Sequence, residues 1–205
     1  MRRFGIWTVA LVSALISSAV TSAFWLIAFN GGGSPAPVPR QAETQAAPSK
    51  ADLEIGPSGL AIPVAGIKPE ALANTYKQSR AGGARVHNAI DIMAPHGTPV
   101  VASAPGVVEK LFFSQGGGGI SVYVRSPDKQ WIFYYAHLEA YAPGLKEGQA
   151  VKQGDVLGTV GSTGNASPSG PHLHFAVNRM APGDDWHDGS PVNPYPLLAG
   201  ETAGR

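Results

Sequence analysis

Cysteine is absent from the 205 residues. That excludes disulfide stapling and thiolate metal ligands, so any metal site here must be built from imidazole and carboxylate. Charge is also scarce. Charged residues make up 14% of the chain and the formal net charge is +1, which implies no polyanion-binding surface and excludes nucleic acid as a partner. Coiled-coil heptads are missing, and so is any repeat long enough to suggest a second module. The glycine run Gly116 to Gly119 has no helix context behind it, so it reads as a hairpin turn rather than a phosphate cradle. It could also flank a cleft. Glycine and proline are plentiful, at 26 and 18 residues, which suits an all-β domain whose turns need a positive or a fixed φ. The length permits one domain of ordinary size plus appendages.

The appendages lie at the start. Met1-Arg2-Arg3 is a short basic opening, and residues 4–29 then carry no charge. As helix that stretch would reach about 39 Å, enough to cross a ~30 Å hydrocarbon core with tilt. The arginines bias residues 1–3 to the cytoplasm and everything after the span outward. A cleavable signal peptide is the rival reading, with Thr21-Ser22-Ala23 as its small residues. Phe24 to Phe29 continues the apolar run past that point and favours an uncleaved signal anchor. Residues 30–51 are poor in large apolar side chains and read as a flexible tether, spanning about 25 Å on average. A lead-in segment, 52–83, follows; Ile62-Pro63-Val64 is expected to be an edge strand and Ala71 to Lys77 to include a short turn of helix.

The chemistry lies in residues 84–200. In Gly170-Pro171-His172-Leu173-His174-Phe175 strand periodicity sends His172 and His174 to one face. Two such imidazoles can serve as a metal ligand and its catalytic neighbour, or they can simply face solvent. Upstream, His87 and Asp91 offer a nitrogen and an oxygen ligand with three residues between them. With one later imidazole they make three protein ligands, the number that a catalytic zinc site keeps while leaving a position for water. β-branched residues, Gly82-Gly83 and Pro95 place that segment on a strand entering a loop rather than on a helix. Another histidine, His137, ends the apolar run Tyr134-Tyr135-Ala136-His137-Leu138.

These three segments, in this order, resemble the lysostaphin/LytM-type zinc metallopeptidases, which cut peptide bonds in bacterial peptidoglycan. The text between them matches as well: Ala94-Pro95-His96-Gly97-Thr98-Pro99-Val100, Gly154-Asp155-Val156-Leu157-Gly158 and Gly161-Ser162-Thr163-Gly164, closing on Pro191-Val192-Asn193-Pro194. The sequence departs from the family pattern at Ala89, where glycine is usual, at the longer link Asn165 to Pro171, and at Ala176, where an acidic residue is common. None of these removes a ligand.

The resemblance implies an all-β fold, an antiparallel β-sandwich or barrel-like sheet, here preceded by one transmembrane helix. It implies one Zn2+ per chain on His87, Asp91 and His174, with His172 and His137 as non-ligating catalytic histidines, one of them the general base. It also implies an endopeptidase acting on peptidoglycan cross-links at the outer face of the inner membrane, on the periplasmic side, with a regulatory envelope protein as a further partner. D-Ala–diaminopimelate bridges fit such an envelope protein better than pentaglycine. The alternative is a non-catalytic scaffold that activates another wall hydrolase; such relatives generally lose ligands, and this chain keeps them all. A biotinyl- or lipoyl-type carrier lacks its Met-Lys tip here. His96, in a Pro-His-Gly turn, has no assigned role; the loop Gly183 to Gly189 with His187 is expected to be a solvated turn rather than a second metal site, and Glu139 a charged residue past a strand end.

Strands are expected at Ala89–Met93, Pro99–Ala102, Gly106–Phe113, Ile120–Arg125, Gln130–His137, Ala150–Val151, Val156–Val160 and His172–Asn178.

Overall fold

The computed structural model describes residues 53–200. The span expected over 4–29 and the whole tether expected over 30–51 lie outside them; among the described residues no helix is long and apolar enough to cross a membrane.

Among the described residues eleven strands and one short α-helix follow in chain order. A two-stranded ribbon of β1 (Ser79–Arg80) and β2 (Arg85–Val86) comes first. The remaining strands are β3 (Ile90–Met93), β4 (Pro99–Val101), β5 (Gly106–Ser114), β6 (Gly119–Arg125), β7 (Trp131–Tyr141), β8 (Ala150–Val151), β9 (Val156–Val160), β10 (His172–Arg179) and β11 (Ser190–Val192), with the helix α1 at Pro194–Ala199. These nine form one branched antiparallel sheet with the main order β11-β10-β7-β6-β5-β8. Strand β3 joins it along β10, and β9 links β7 to β4. All eight expected strands are present within a few residues of their expected ends.

Alternation explains which face is which. On β10, Leu173 and Phe175 are fully buried while His172 and His174 are only half-buried; on β3, Ile90 and Ile92 are buried around Asp91. The inward side chains join Val122, Val124, Phe133 and Tyr135 in a single core. Each such side chain contributes roughly 1.5–3 kcal/mol by leaving water. The polar face of the same strands is therefore held rigidly by apolar residues one step away.

The lead-in segment is part of this body, with Ile62, Val64 and Leu72 in the core. Its edge strand does not form: Val64 makes one isolated bridge to Val100, because Pro63 has no N–H to extend a ladder. The expected helical turn sits earlier, as a 3-10 turn at Pro69–Ala71. The backbone after it is engaged elsewhere, with the Lys77 N–H donating to the His87 carbonyl at 2.7 Å. Two late elements went unread. Strand β11 pairs with the end of β10, and α1 is started by Asn193, whose side chain accepts from Tyr195 N–H at 3.0 Å.

Candidate metal centre and catalytic cleft

Asp91 and His174 are direct partners across β3 and β10, so their side chains rise from the same face of the sheet. His87 reaches the same point from the segment between β2 and β3. His87 Nε2 lies 3.1 Å from Asp91 Oδ1, and His174 Nδ1 lies 3.2 Å from that oxygen and 3.1 Å from His87 Nε2. The three candidate ligand atoms all fall within 4.8 Å of one another. Two imidazole nitrogens and one carboxylate oxygen converging at this spacing suit a borderline cation such as zinc.

The surroundings prepare these atoms. His87 Nδ1 donates to the Thr75 carbonyl at 2.8 Å, which places its proton away from the cluster and leaves Nε2 as a lone pair. Thr75 Oγ1 also accepts the Asp91 N–H at 2.9 Å. Arg80 Nη2 donates to Asp91 Oδ2 at 2.6 Å, so Oδ1 remains the oxygen aimed at the imidazoles. The same Nη2 lies 3.1 Å from His87 Nδ1; two donors face each other there, and the carbonyl of Thr75 is the partner that fits. Burial works against the Asp91 carboxylate, yet the adjoining His174 and His87 imidazoles hold it well below the usual carboxylate range. Burial also pushes the His174 imidazole down, against the pull of Asp91.

His172 stands beside the cluster, with Nε2 3.8 Å from Asp91 Oδ1 and Nδ1 donating to the Gly170 carbonyl at 2.8 Å. His137 arrives by a different device. On β7, Ala136 already faces His174, so simple alternation would send His137 into the core. The register between β6 and β7 slips here, with three steps on β7 against two on β6. His137 takes φ 60 at that bulge, and its ring comes within 5.0 Å of His172 and 5.6 Å of His174, centre to centre. A bulge re-aims a side chain in this way at the cost of backbone strain. Burial pushes the His137 imidazole down to about 4, so it is neutral at pH 7, and its Nδ1 donates to the Thr163 carbonyl at 2.8 Å. His172 and His137 therefore each have Nε2 as the ring nitrogen left to take a proton.

A cleft of about 800 Å³ surrounds this group. One wall is the glycine run: Gly117 and Gly118 line the cleft, and a Cβ at Gly118 or Gly164 would run into Tyr134 or the Gly117 carbonyl. The loop after β10 gives another wall. It is the exposed turn expected, anchored at one point: Trp186 packs edge-on against Tyr123 at 4.7 Å and tilts over Phe112 at 5.2 Å. That anchor sets His187, Asp188 and Gly189 along the cleft. His187 is not a member of the one group of three metal-ligating side chains among the described residues. Glu139 turns away from the cleft, where His96 Nδ1 meets it at 3.0 Å.

All five residues expected to carry the chemistry are thus brought together. Thr75 and Arg80 were missed, since they precede the recognisable motifs, and nothing in their type announces a role.

The profile of Peptidase family M23 matches residues 85–194. The L-Ala–D-Glu endopeptidase of Bacillus subtilis is 36% identical over 122 residues, which is 57% of this chain and 36% of that protein. The peptidoglycan DD-endopeptidase ShyC of Vibrio cholerae is 42% identical over 94 residues, 46% of this chain and 20% of that protein. The chain thus spans only about a third of the first relative's length and a fifth of the second's. The catalytic domain of lysostaphin from Staphylococcus simulans superposes with a TM-score of 0.51 and 30% identity, covering 62% of this chain and 88% of that one. The catalytic domain of the prophage-encoded M23 protein EnpA from Enterococcus faecalis does so with 0.50 and 31%, covering 60% and 88%. The matched region takes in more than half of the chain and holds the His-Asp-His cluster and both neighbouring histidines, and on that ground the chain belongs to peptidase family M23.

Proposed function

We propose that this protein is a zinc-dependent endopeptidase that hydrolyses peptide cross-links of bacterial peptidoglycan. The observation that carries the reading is the convergence of His87, Asp91 and His174 within 4.8 Å beside two histidines that do not belong to the ligand set. His87 Nε2, Asp91 Oδ1 and His174 Nδ1 would hold the metal. Zinc bound there would supply Lewis acidity, activating water and polarising the scissile carbonyl.

The chain's own groups do the rest. His172 and His137 have their Nδ1 protons fixed on the carbonyls of Gly170 and Thr163. One Nε2 takes the proton of the attacking water and passes it to the leaving amine, and the other, also unprotonated, assists that base as a second acceptor in the same cleft. The cleft walls 117–118 and 187–189 hold an extended peptide over these groups. The basic start and uncharged stretch 4–29 support a membrane anchor, with residues 30–51 tethering the domain on the wall side.

The direct test incubates the detergent-solubilised full chain and Zn2+ with cross-linked muropeptides. One new amine terminus per cross-link opened is expected. Intact cross-links, under conditions where the protein is folded and metal-loaded, would contradict the reading.

A further inference from the structure

The ribbon of β1 and β2 brings two arginines to the rim of the cleft. Arg80 and Arg85 are directly opposed partners in it. Like charges in that position repel and weaken a two-stranded ribbon. Arg80 is compensated by Asp91 at 2.6 Å. Arg85 is exposed and lines the cleft, and among the described residues no carboxylate forms an ion pair with it. The other acidic group along the cleft, Asp188, lies on the far loop beside His187 at 3.8 Å.

Position adds to charge. The ribbon pairing continues through His87, whose N–H donates to the Gln78 carbonyl at 2.9 Å. Arg85 and His87 are therefore two residues apart on extended chain, on one face and about 7 Å apart along it. Neutral Asn165, Ser167 and Asn178 also line the cleft. The cleft thus holds an uncompensated guanidinium about two peptide residues from the metal centre, and the planar fork of that group matches a carboxylate bidentately.

We propose that Arg85 binds a carboxylate of the substrate within about two residues of the scissile bond. The preferred substrates are acidic peptides carrying a free α- or side-chain carboxylate at that place, and uncharged bridges such as oligoglycine are poor ones. This rests on the endopeptidase reading and narrows it.

The test uses the full chain loaded with zinc and three matched peptides: the acid, its C-terminal amide and its side-chain amide. Cleavage gives kcat and KM, and calorimetry on analogues with an N-methylated scissile amide gives Kd. For the wild type, one amide is expected to raise KM and Kd about ten-fold, in line with loss of one solvent-exposed charge-assisted hydrogen bond. Which amide does so identifies the carboxylate. In Arg85→Gln the acid-to-amide ratio falls to near one, and Arg85→Lys recovers part of it. A wild-type ratio near one for both amides, or a ratio unchanged in Arg85→Gln, overturns the proposal. Absence of cleavage counts against the endopeptidase reading alone, because the Kd ratios still decide the role of Arg85.

Discussion

Thr75 grips Asp91 and its neighbour ligand at once: its hydroxyl oxygen accepts the Asp91 N–H at 2.9 Å while its carbonyl takes the His87 Nδ1 proton at 2.8 Å. The residue lies ten or more positions ahead of both, in a segment that looked like a mere lead-in. Thr75→Val leaves the Asp91 N–H without its acceptor. A loss of about 1–3 kcal/mol in urea unfolding is expected, with a roughly ten-fold drop in zinc affinity by chelator competition. Thr75→Ser should restore both, and a Thr75→Val protein with unchanged affinity would deny Thr75 any part in holding the ligands.

The division of labour on β10 is open to a paired substitution. His174→Ala should lose stoichiometric zinc and turnover together. His172→Ala should retain about one zinc per chain and lose at least ~100-fold in turnover, the usual scale for a proton-transfer group. Metal content by atomic emission separates the two. Chelation of the wild type should abolish cleavage and added Zn2+ should restore it; activity that survives exhaustive chelation would count against the metal's role.

His137 takes a left-handed backbone conformation that side chains other than glycine adopt at a cost. His137→Gly is therefore expected to be more stable than His137→Ala by about 1 kcal/mol in denaturant unfolding. Both should be nearly inactive. Equal stability of the two variants would mean that the bulge stores no strain.

Alkaline stability should report on Tyr135. Its hydroxyl is fully buried and accepts the Ser103 N–H at 2.9 Å, and burial pushes the phenol up to about 12 from 10.0. The folded state therefore holds this proton more tightly than the unfolded chain does. That contribution is complete below about pH 10 and is lost as pH rises through 12, worth up to about 3 kcal/mol. Urea unfolding at pH 9 and pH 11.5 measures it. Tyr135→Phe should fall off less steeply, and a wild-type slope no steeper than that of Tyr135→Phe would remove Tyr135 from the alkaline limb.

Much of this site was legible because strand alternation is strict. A period of two put His172 and His174 on one face, and the β3 pattern Ile90-Asp91-Ile92 placed the carboxylate opposite them. What escaped had no signature in residue type. The acceptors at Thr75, Thr163 and Gly170 are main-chain carbonyls, which every residue carries. The bulge at His137 arises from register between two strands, a long-range property. Trp186 in a polar loop was the available hint that residues 183–189 are anchored to the sheet at that one side chain.

Three imidazoles owe their tautomers to those carbonyls, so proton placement is set by the path of the chain rather than by any exchangeable side chain. The link of residues 165–169 can then be randomised in a directed-evolution library without disturbing the chemistry, provided that Gly164 and Gly170 keep the path. Selectivity among peptides becomes an adjustable property carried on a fixed protonation state.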